Sequence, residues 1–326
     1  MFLEGQSILI TGGTGSFGRA FVKTVLERYE PRRVIVYSRD ELKQYEMAEQ
    51  IRDKRIRFFL GDVRDLPRLQ RAMSGVQVVV HAAALKQVPA AEYNPFECIK
   101  TNVLGGQNVI EAALNTGVEK VIALSTDKAA NPANLYGATK LCSDKLFIAA
   151  NAYAAGRGPM MSVVRYGNVV GSRGSVVPFF LKARRNGVLP ITDPRMTRFW
   201  ITLEQGVAFV LDSLRRMHGG ELFVPKIPST DIMTLVEALA PQCRTEVIGI
   251  RPGEKLHELM ISEDDARRTV DMGSHYVLQP QQSWWDDAVT SSGTIVPEGF
   301  EYRSDTNPER LGVTEVRDLL GSLGLD

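Results

Sequence analysis

Apolar residues along the first half of the chain gather into six short runs, 7–11, 34–37, 56–60, 76–81, 121–124 and 162–165. Each is mostly apolar on both alternating sets of positions, as in a strand buried on two faces of a parallel sheet. Between them apolar residues recur at helical spacing, and helices are expected from residue 16 to about 29, over 102–116 and from 136 to about 155. Strand and helix in alternation predict an α/β chain with a doubly wound sheet. Beyond 169 the rhythm stops. There 173–189 mixes a loop and a helix, 190–201 reads as strand pieces, 203–217 as an amphipathic helix, and 251–258 as a compact charged turn entering a helix. This divides the chain into a nucleotide-binding domain, 1–170, and a smaller C-terminal α/β lobe, 171–326, some of whose segments can return to the first domain. Trp284, Trp285 and Phe300 are expected to close a tail onto the body, and 279–299 to be a poorly ordered loop.

Charge narrows the picture little but excludes much. In 326 residues, 39 Lys plus Arg stand against 38 Asp plus Glu, so no nucleic-acid footprint or membrane-binding surface is expected. The three cysteines, Cys98, Cys142 and Cys243, are scattered, and the four histidines lack ligand spacing, so no metal site is expected and a reducing cytoplasm suits the chain. A strand begins within the first ten residues, which leaves no room for a leader, and no apolar run approaches the ~20 residues of a membrane span.

The chemistry sits at strand ends. The first strand runs into Gly12-Gly13-Thr14-Gly15-Ser16-Phe17-Gly18, a glycine-rich loop opening a helix. Gly12 permits the tight turn, Gly15 lets backbone approach a pyrophosphate at the positive helix end, and Gly18 lets helix and strand pack closely. This is the loop of a Rossmann-type dinucleotide site. An NAD site usually carries an acidic residue at the end of the second strand. Here Ser38, Arg39 and Lys43 suit a 2′-phosphate by charge-assisted hydrogen bonds, so NADP is the expected cofactor, although Asp40 and Glu41 also suit a solvated helix start. Asp62 and Val63 are expected beside the adenine, Ala82 beside the dinucleotide, and Lys86 on a phosphate or sugar. The fifth strand ends at Ser125-Thr126-Asp127-Lys128, and Tyr136 and Lys140 share one helix face. An ammonium beside a phenol lowers a pKa otherwise about 10, giving a base for a hydroxyl proton. After the sixth strand, Asn168 can bind substrate and Val169 can pack by the nicotinamide.

With these residues placed, the chain resembles the extended short-chain dehydrogenase/reductase family, and within it the soluble UDP-N-acetylglucosamine 4,6-dehydratases that invert C5. The resemblance covers nearly the whole chain. It rests on Thr11–Gly18, 38–43, 83–86, Ser125-Thr126-Asp127-Lys128-Ala-Ala-Asn-Pro, Tyr136 with Lys140, 165–169, Met-Thr-Arg198-Phe-Trp and Arg251-Pro-Gly-Glu254-Lys. It implies that Lys86, Asn168, Arg198, Arg251 and Glu254 touch substrate, and that the chain forms dimers built into hexamers. It also implies the first step of pseudaminic acid synthesis, hence flagellin glycosylation, with UDP-2-acetamido-2,6-dideoxy-β-L-arabino-hex-4-ulose as product. In that reaction C4 is oxidised so that the C5 proton becomes acidic, water leaves across C5 and C6, and the hydride returns to C6. Tyr136 would take the 4-hydroxyl proton, Lys140 would lower the phenol's pKa and Thr126 would bond the same oxygen. Lys128 and Asp127 are the candidate base and acid, roles that need a lowered amine pKa and a raised carboxyl pKa. A UDP-sugar 4-epimerase shares everything except the need for that pair, and a non-catalytic NADP-binding regulator would need neither Tyr136 nor Lys140.

Overall fold

The computed structural model describes residues 2–154, 158–172, 174–280 and 292–325. Its centre is a ten-stranded sheet. Strands β1 (Ser7–Thr11), β2 (Arg33–Ser38), β3 (Ile56–Leu60), β4 (Val78–His81), β5 (Lys120–Leu124) and β6 (Met160–Val164) lie in the order 3-2-1-4-5-6, every pair parallel. Burial on both faces explains their composition, since all five residues of β1 and all four of β4 are buried. The covering helices are α1 (Ser16–Arg28), α2 (Glu41–Gln50), α3 (Leu66–Met73), α4 (Val88–Tyr93), α5 (Pro95–Ile99), α6 (Gly105–Thr116) and α7 (Leu135–Tyr153). The order reverses between β1 and β4, which opens a crevice over the strands' carboxyl ends.

The pattern misplaced some boundaries. β4 starts at Val78 rather than 76, because the Val76 amide closes a turn onto the Met73 carbonyl. The helix expected at 102 begins at Pro95 and runs through a π-helical turn, Lys100–Leu104, into α6.

The second half starts with β7 (Asn168–Val169), α8 (Val176–Ala183), β8 (Val188–Ile191), β9 (Thr197–Ile201) and α9 (Leu203–Arg216). β10 (Leu222–Pro225) then joins the large sheet parallel to β6. β11 (Ser229–Asp231), α10 (Ile232–Leu239), β12 (Arg244–Val247), β13 (Leu259–Ile261) and α11 (Glu263–Ala266) follow. β14 (Thr269–Asp271), β15 (His275–Leu278) and β16 (Thr294–Ile295) extend the sheet antiparallel beyond β10, and β17 (Tyr302–Arg303) and α12 (Val313–Ser322) end the chain's described elements. A second apolar core, with Val177, Phe180, Leu189, Trp200, Leu235 and Val316, gathers α8, α10 and α12. The turn at 251–258 enters strand β13, not a helix: Leu259, Met260 and Ile261 are all buried and β13 pairs with β17, so tertiary pairing overrides the expected helical period. Phe300 packs on the main core and lies 5.4 Å from the Tyr276 ring centroid. Trp284 and Trp285 lie outside the described residues.

Beyond β5, Thr126 caps a 3₁₀ turn, Asp127–Ala129, and Asn134 caps α7 by accepting from the Gly137 amide at 2.8 Å. The two segments touch through backbone: a Cβ on Gly137 would stand 2.2 Å from the Lys128 carbonyl oxygen. Helix propensity alone favours alanine by about 1 kcal/mol. Gly137→Ala is therefore expected to reverse that sign, lowering the melting temperature and reducing turnover by roughly 10²-fold as Tyr136 shifts against Lys128. Thermal denaturation and steady-state kinetics on the one variant check both.

Candidate active site

A cleft of about 740 Å³ follows the crevice from the glycine-rich loop to the end of β6. Gly12, Thr14, Gly15, Ser16, Phe17 and Gly18 form one end of its wall. Gly12 needs φ of +65°, and a Cβ there would meet the Ala83 backbone at 2.9 Å. Gly15 caps α1 with no side-chain hydrogen bond, so the helix's first amides are left for an anion. Ser38, Arg39, Lys43, Asp62, Val63, Ala82, Lys86 and Val169 line the same cleft. Ser38 Oγ lies 2.9 Å from Thr14 Oγ1. Asp40 turns back to cap α2 and pair with Lys43, so its carboxylate is committed to the helix start. Arg39 stays 57% exposed, 3.6 Å from Asp62. The uncapped helix end, the tight glycine turn and the exposed guanidinium of Arg39 fit a dinucleotide.

The π-helical turn has a local purpose that the pattern gave no sign of. Buried Asn102 accepts from the Leu85 amide at 2.8 Å and donates to the Leu85 carbonyl at 2.9 Å, clamping the 82–86 loop that lines the cleft.

Thr126, Lys128, Tyr136, Lys140 and Asn168 meet at the other end. Lys128 Nζ lies 3.1 Å from Asp127 Oδ1, 3.0 Å from Glu258 Oε1 and 3.4 Å from Asn168 Oδ1. Thr126 donates to Asp127 Oδ1 at 2.8 Å. Asp127 is fully buried and stands behind Lys128 rather than on the cleft wall. Lys140 is buried beside Asp144, one helical turn on, and Asp144 accepts from Ser125 at 2.7 Å and sits 3.3 Å from Arg165.

These contacts set the protonation states, and two expectations change. Burial pushes the Tyr136 phenol up to about 12, and the cation that most opposes this is Lys128 rather than Lys140. Burial also pushes Lys140 down, and the carboxylate of Asp144 resists that. Lys128 does not have the lowered pKa a resting base needs: burial works to lower it, but Asp127 and Glu258 win and hold it as an ammonium. Asp127 is raised, by burial and by the neighbouring charge of Glu258 against the pull of Lys128, which suits an acid. Glu258 is held low despite its burial by Lys128, Arg198 and Lys255.

The other sequence candidates lie off the cleft wall. Arg198 gives its guanidinium to the carbonyls of Thr197, Leu256 and Lys255 at 2.7, 3.0 and 3.0 Å, with Nε 3.6 Å from Glu258. It braces the 251–258 turn. Arg251 and Glu254 face each other at 3.9 Å on the outside of that turn, the arginine 57% exposed. The turn itself is docked on the catalytic segment, with Lys255 donating to the Ala130 carbonyl at 2.6 Å and Asn134 to the Gly253 carbonyl at 2.8 Å. Glu258 and Asp144 went unnoticed in the sequence. Asp144 could have been found, four residues after Lys140 on its helix face. A charge leading into three apolar residues was the only signal for Glu258.

A doubly wound sheet with a dinucleotide loop, and a Tyr136–Lys140 helix beside Thr126, is the architecture of an extended short-chain dehydrogenase/reductase. The chain belongs to the polysaccharide biosynthesis protein family, which matches residues 8–280. It is 56% identical to a UDP-N-acetylglucosamine 4,6-dehydratase (inverting) from Campylobacter jejuni, over 97% of this chain and 98% of that protein. Among solved structures it is similar to Pen from Bacillus thuringiensis, 35% identical with a TM-score of 0.91 over 100% of both chains. It is also similar to the dTDP-glucose 4,6-dehydratase of Streptomyces venezuelae, solved with NAD bound, 25% identical with a TM-score of 0.69 over 77% of this chain and 86% of that one.

Asp144 is the one carboxyl group shared by Lys140, Ser125 and Arg165, all three buried. Removing one partner from a buried ion pair costs about 3–5 kcal/mol. Asp144→Ala is expected to lower stability by about that much in urea titrations, whereas Glu27→Ala, at an exposed pair with Lys23, should stay within about 1 kcal/mol.

Proposed function

We propose that the chain is a UDP-N-acetylglucosamine 4,6-dehydratase that inverts C5, working with a nicotinamide dinucleotide in the cleft. The observation that carries this is Lys128 between two buried carboxyl groups, presented beside Tyr136. Elimination needs acid and base groups next to the oxidised carbon, and simple 4-epimerisation does not. The 56% identity to an inverting dehydratase across the chain supports the same reading.

Gly12, Gly15 and the open amides of α1 would hold the pyrophosphate, and Lys140 the nicotinamide ribose. When bound, the nicotinamide takes a hydrogen with its electron pair from C4 and gives it back at C6. Tyr136 would receive the 4-hydroxyl proton as the phenolate, the form that the charge of Lys128 favours against burial and that requires its own proton to have left to solvent first, with Thr126 bonding the same oxygen. Lys128 takes the C5 proton, now α to a ketone. Asp127 keeps its proton until the 6-hydroxyl leaves, and gives it up through the Lys128 and Thr126 groups that it touches. Asn168 and Lys86, both on the cleft wall, contact the sugar and diphosphate. Arg198 supports that region from behind, and Arg251 and Glu254 reach UDP from the rim of the docked turn. We read the cofactor as NADP, because Asp40 is tied to Lys43 and leaves Arg39 to meet a 2′-phosphate. Among the described residues no helix is long and apolar enough to cross a membrane. The near-balanced charge and scattered cysteines favour a cytoplasmic enzyme, and the family resemblance a homo-oligomer of dimers or hexamers.

Incubation with UDP-N-acetylglucosamine, followed by proton NMR, is expected to show a new C6 methyl signal. Deuterium placed at C4 should appear at C6. A changed C4 coupling without a methyl signal would make the protein an epimerase, and no change would favour a binding regulator. Lys128→Ala should still bind both ligands while dehydration falls by roughly 10²–10⁴-fold.

Arg39→Ala should weaken NADP far more than NAD, which titration of both dinucleotides measures. Equal losses would place the 2′-phosphate elsewhere.

A further inference from the structure

Lys128 is the one member of the Asp127–Lys128–Glu258 cluster on the cleft wall. Glu258 stands directly behind it, its side chain 3% exposed and its Oε1 3.0 Å from Nζ. Arg198 Nε braces the same oxygen at 3.6 Å, and Lys255 and Asp127 complete the charged surroundings. Glu258 Oε2 and Asp127 Oδ2 are both buried without a hydrogen-bond partner, so each carboxyl group has one oxygen free to carry a proton.

This geometry answers a difficulty in the dehydratase reading, on which the inference rests. An ammonium cannot take a proton from C5; it must first be neutral. Lys128 is kept charged, and the contact at 3.0 Å gives its proton an acceptor inside the cluster. We propose that Glu258 is the positioning residue that makes Lys128 a base, by accepting one Nζ proton within the buried cluster. The N–H proton moves to Glu258 Oε1 and leaves a lone pair on Nζ. That lone pair takes the C5 proton, and the C5–H electrons stay in the substrate as the enolate of the 4-ketone. Lys128 is then an ammonium again and Glu258 a neutral acid. Asp127, off the cleft wall, passes its own proton through the Thr126 hydroxyl to the departing 6-hydroxyl, which leaves as water. Lys128, in contact with both carboxyl groups, returns the stored proton from Glu258 to Asp127, and the resting cluster is restored. The surroundings set the resting state: burial and the nearby negative charge keep Asp127 protonated, while Arg198, Lys255 and Lys128 keep Glu258 ionised.

The test uses enzyme loaded with NADP and UDP-N-acetylglucosamine in heavy water. It follows cofactor reduction in a single turnover, C5 exchange and the C6 methyl product across pH. In Glu258→Gln, cofactor reduction and KM should stay within a few-fold of wild type. C5 exchange near neutral pH should fall by roughly 10²-fold. The loss should shrink as pH rises, because the amide no longer favours the ammonium and Lys128 can then lose its proton to solvent. Glu258→Asp should restore part of the neutral-pH rate. A loss of equal size at every pH, with no recovery in Glu258→Asp, would make Glu258 a packing residue and overturn the proposal. Wild-type exchange in Glu258→Gln would overturn it too. Should neither variant fold, the wild-type profile decides: exchange that is flat above the carboxylate range supports internal transfer, and a rate that climbs in proportion to hydroxide refutes it. Wild-type enzyme that makes no methyl product would instead sink the dehydratase reading itself.

Discussion

One ammonium, part-exposed on the cleft wall, ties the two halves of the molecule together. Lys128 leaves the end of β5 and meets Glu258, which arrives on a turn from the second half of the chain. Two buried carboxyl groups and a part-exposed lysine cannot be brought together unless the charges compensate. The surrounding contacts enforce that meeting: Lys255 on the Ala130 carbonyl, Asn134 on the Gly253 carbonyl and Arg198 on the carbonyls of Lys255 and Leu256. All are long-range bonds to backbone, so they fix the path of the turn whatever side chains face the cleft.

A second buried network lies under the first and faces the other catalytic side chain. Arg165 is 2% exposed at the end of β6, between Asp144 of α7 and Asp265 of α11, and it donates to the Met260 carbonyl at 2.8 Å. Asp144 in turn faces Lys140. The helix carrying Tyr136 and Lys140 is thus held on one side by backbone packing at Gly137, and on the other by a charge chain reaching β13 and α11. Such rigidity suits the proposed chemistry, in which one phenol and one amine meet adjacent carbons of the same sugar.

The sequence was most readable where function depends on local spacing. The glycine loop, the strand ends and the Tyr136–Lys140 pair are each specified within a few residues, and all reach one cleft. It was least readable where partners come from far along the chain. Nothing near Lys128 announces Glu258, and nothing near Arg198 says that its guanidinium will be taken by three carbonyls rather than by a diphosphate. The 251–258 turn looked like a helix start because charged residues precede apolar ones. It became a strand because β17, from farther on, supplies an edge to pair with. Asn102 escaped notice for a related reason: an asparagine in a helical pattern looks neutral until the loop that it clamps is folded against it.

In the proposed mechanism the electrostatics also order the reaction. The positive charge of Lys128 is the strongest influence holding down a phenol that burial would otherwise push further up. Proton transfer from the 4-hydroxyl to Tyr136 therefore benefits from Lys128 being charged. Removal of the C5 proton requires it to be neutral. A single lysine cannot serve both steps at once, so oxidation at C4 is favoured while the ammonium persists, and elimination follows only when its proton has moved to a neighbour. Once Lys128 is neutral, Tyr136 has less reason to release the proton it has gained, which disfavours reversal at C4 just when C5 becomes reactive. An epimerase has no use for this sequence, because its chemistry never leaves C4. The charge shared among Lys128, Asp127 and Glu258 thus separates in time two steps that the fold places side by side.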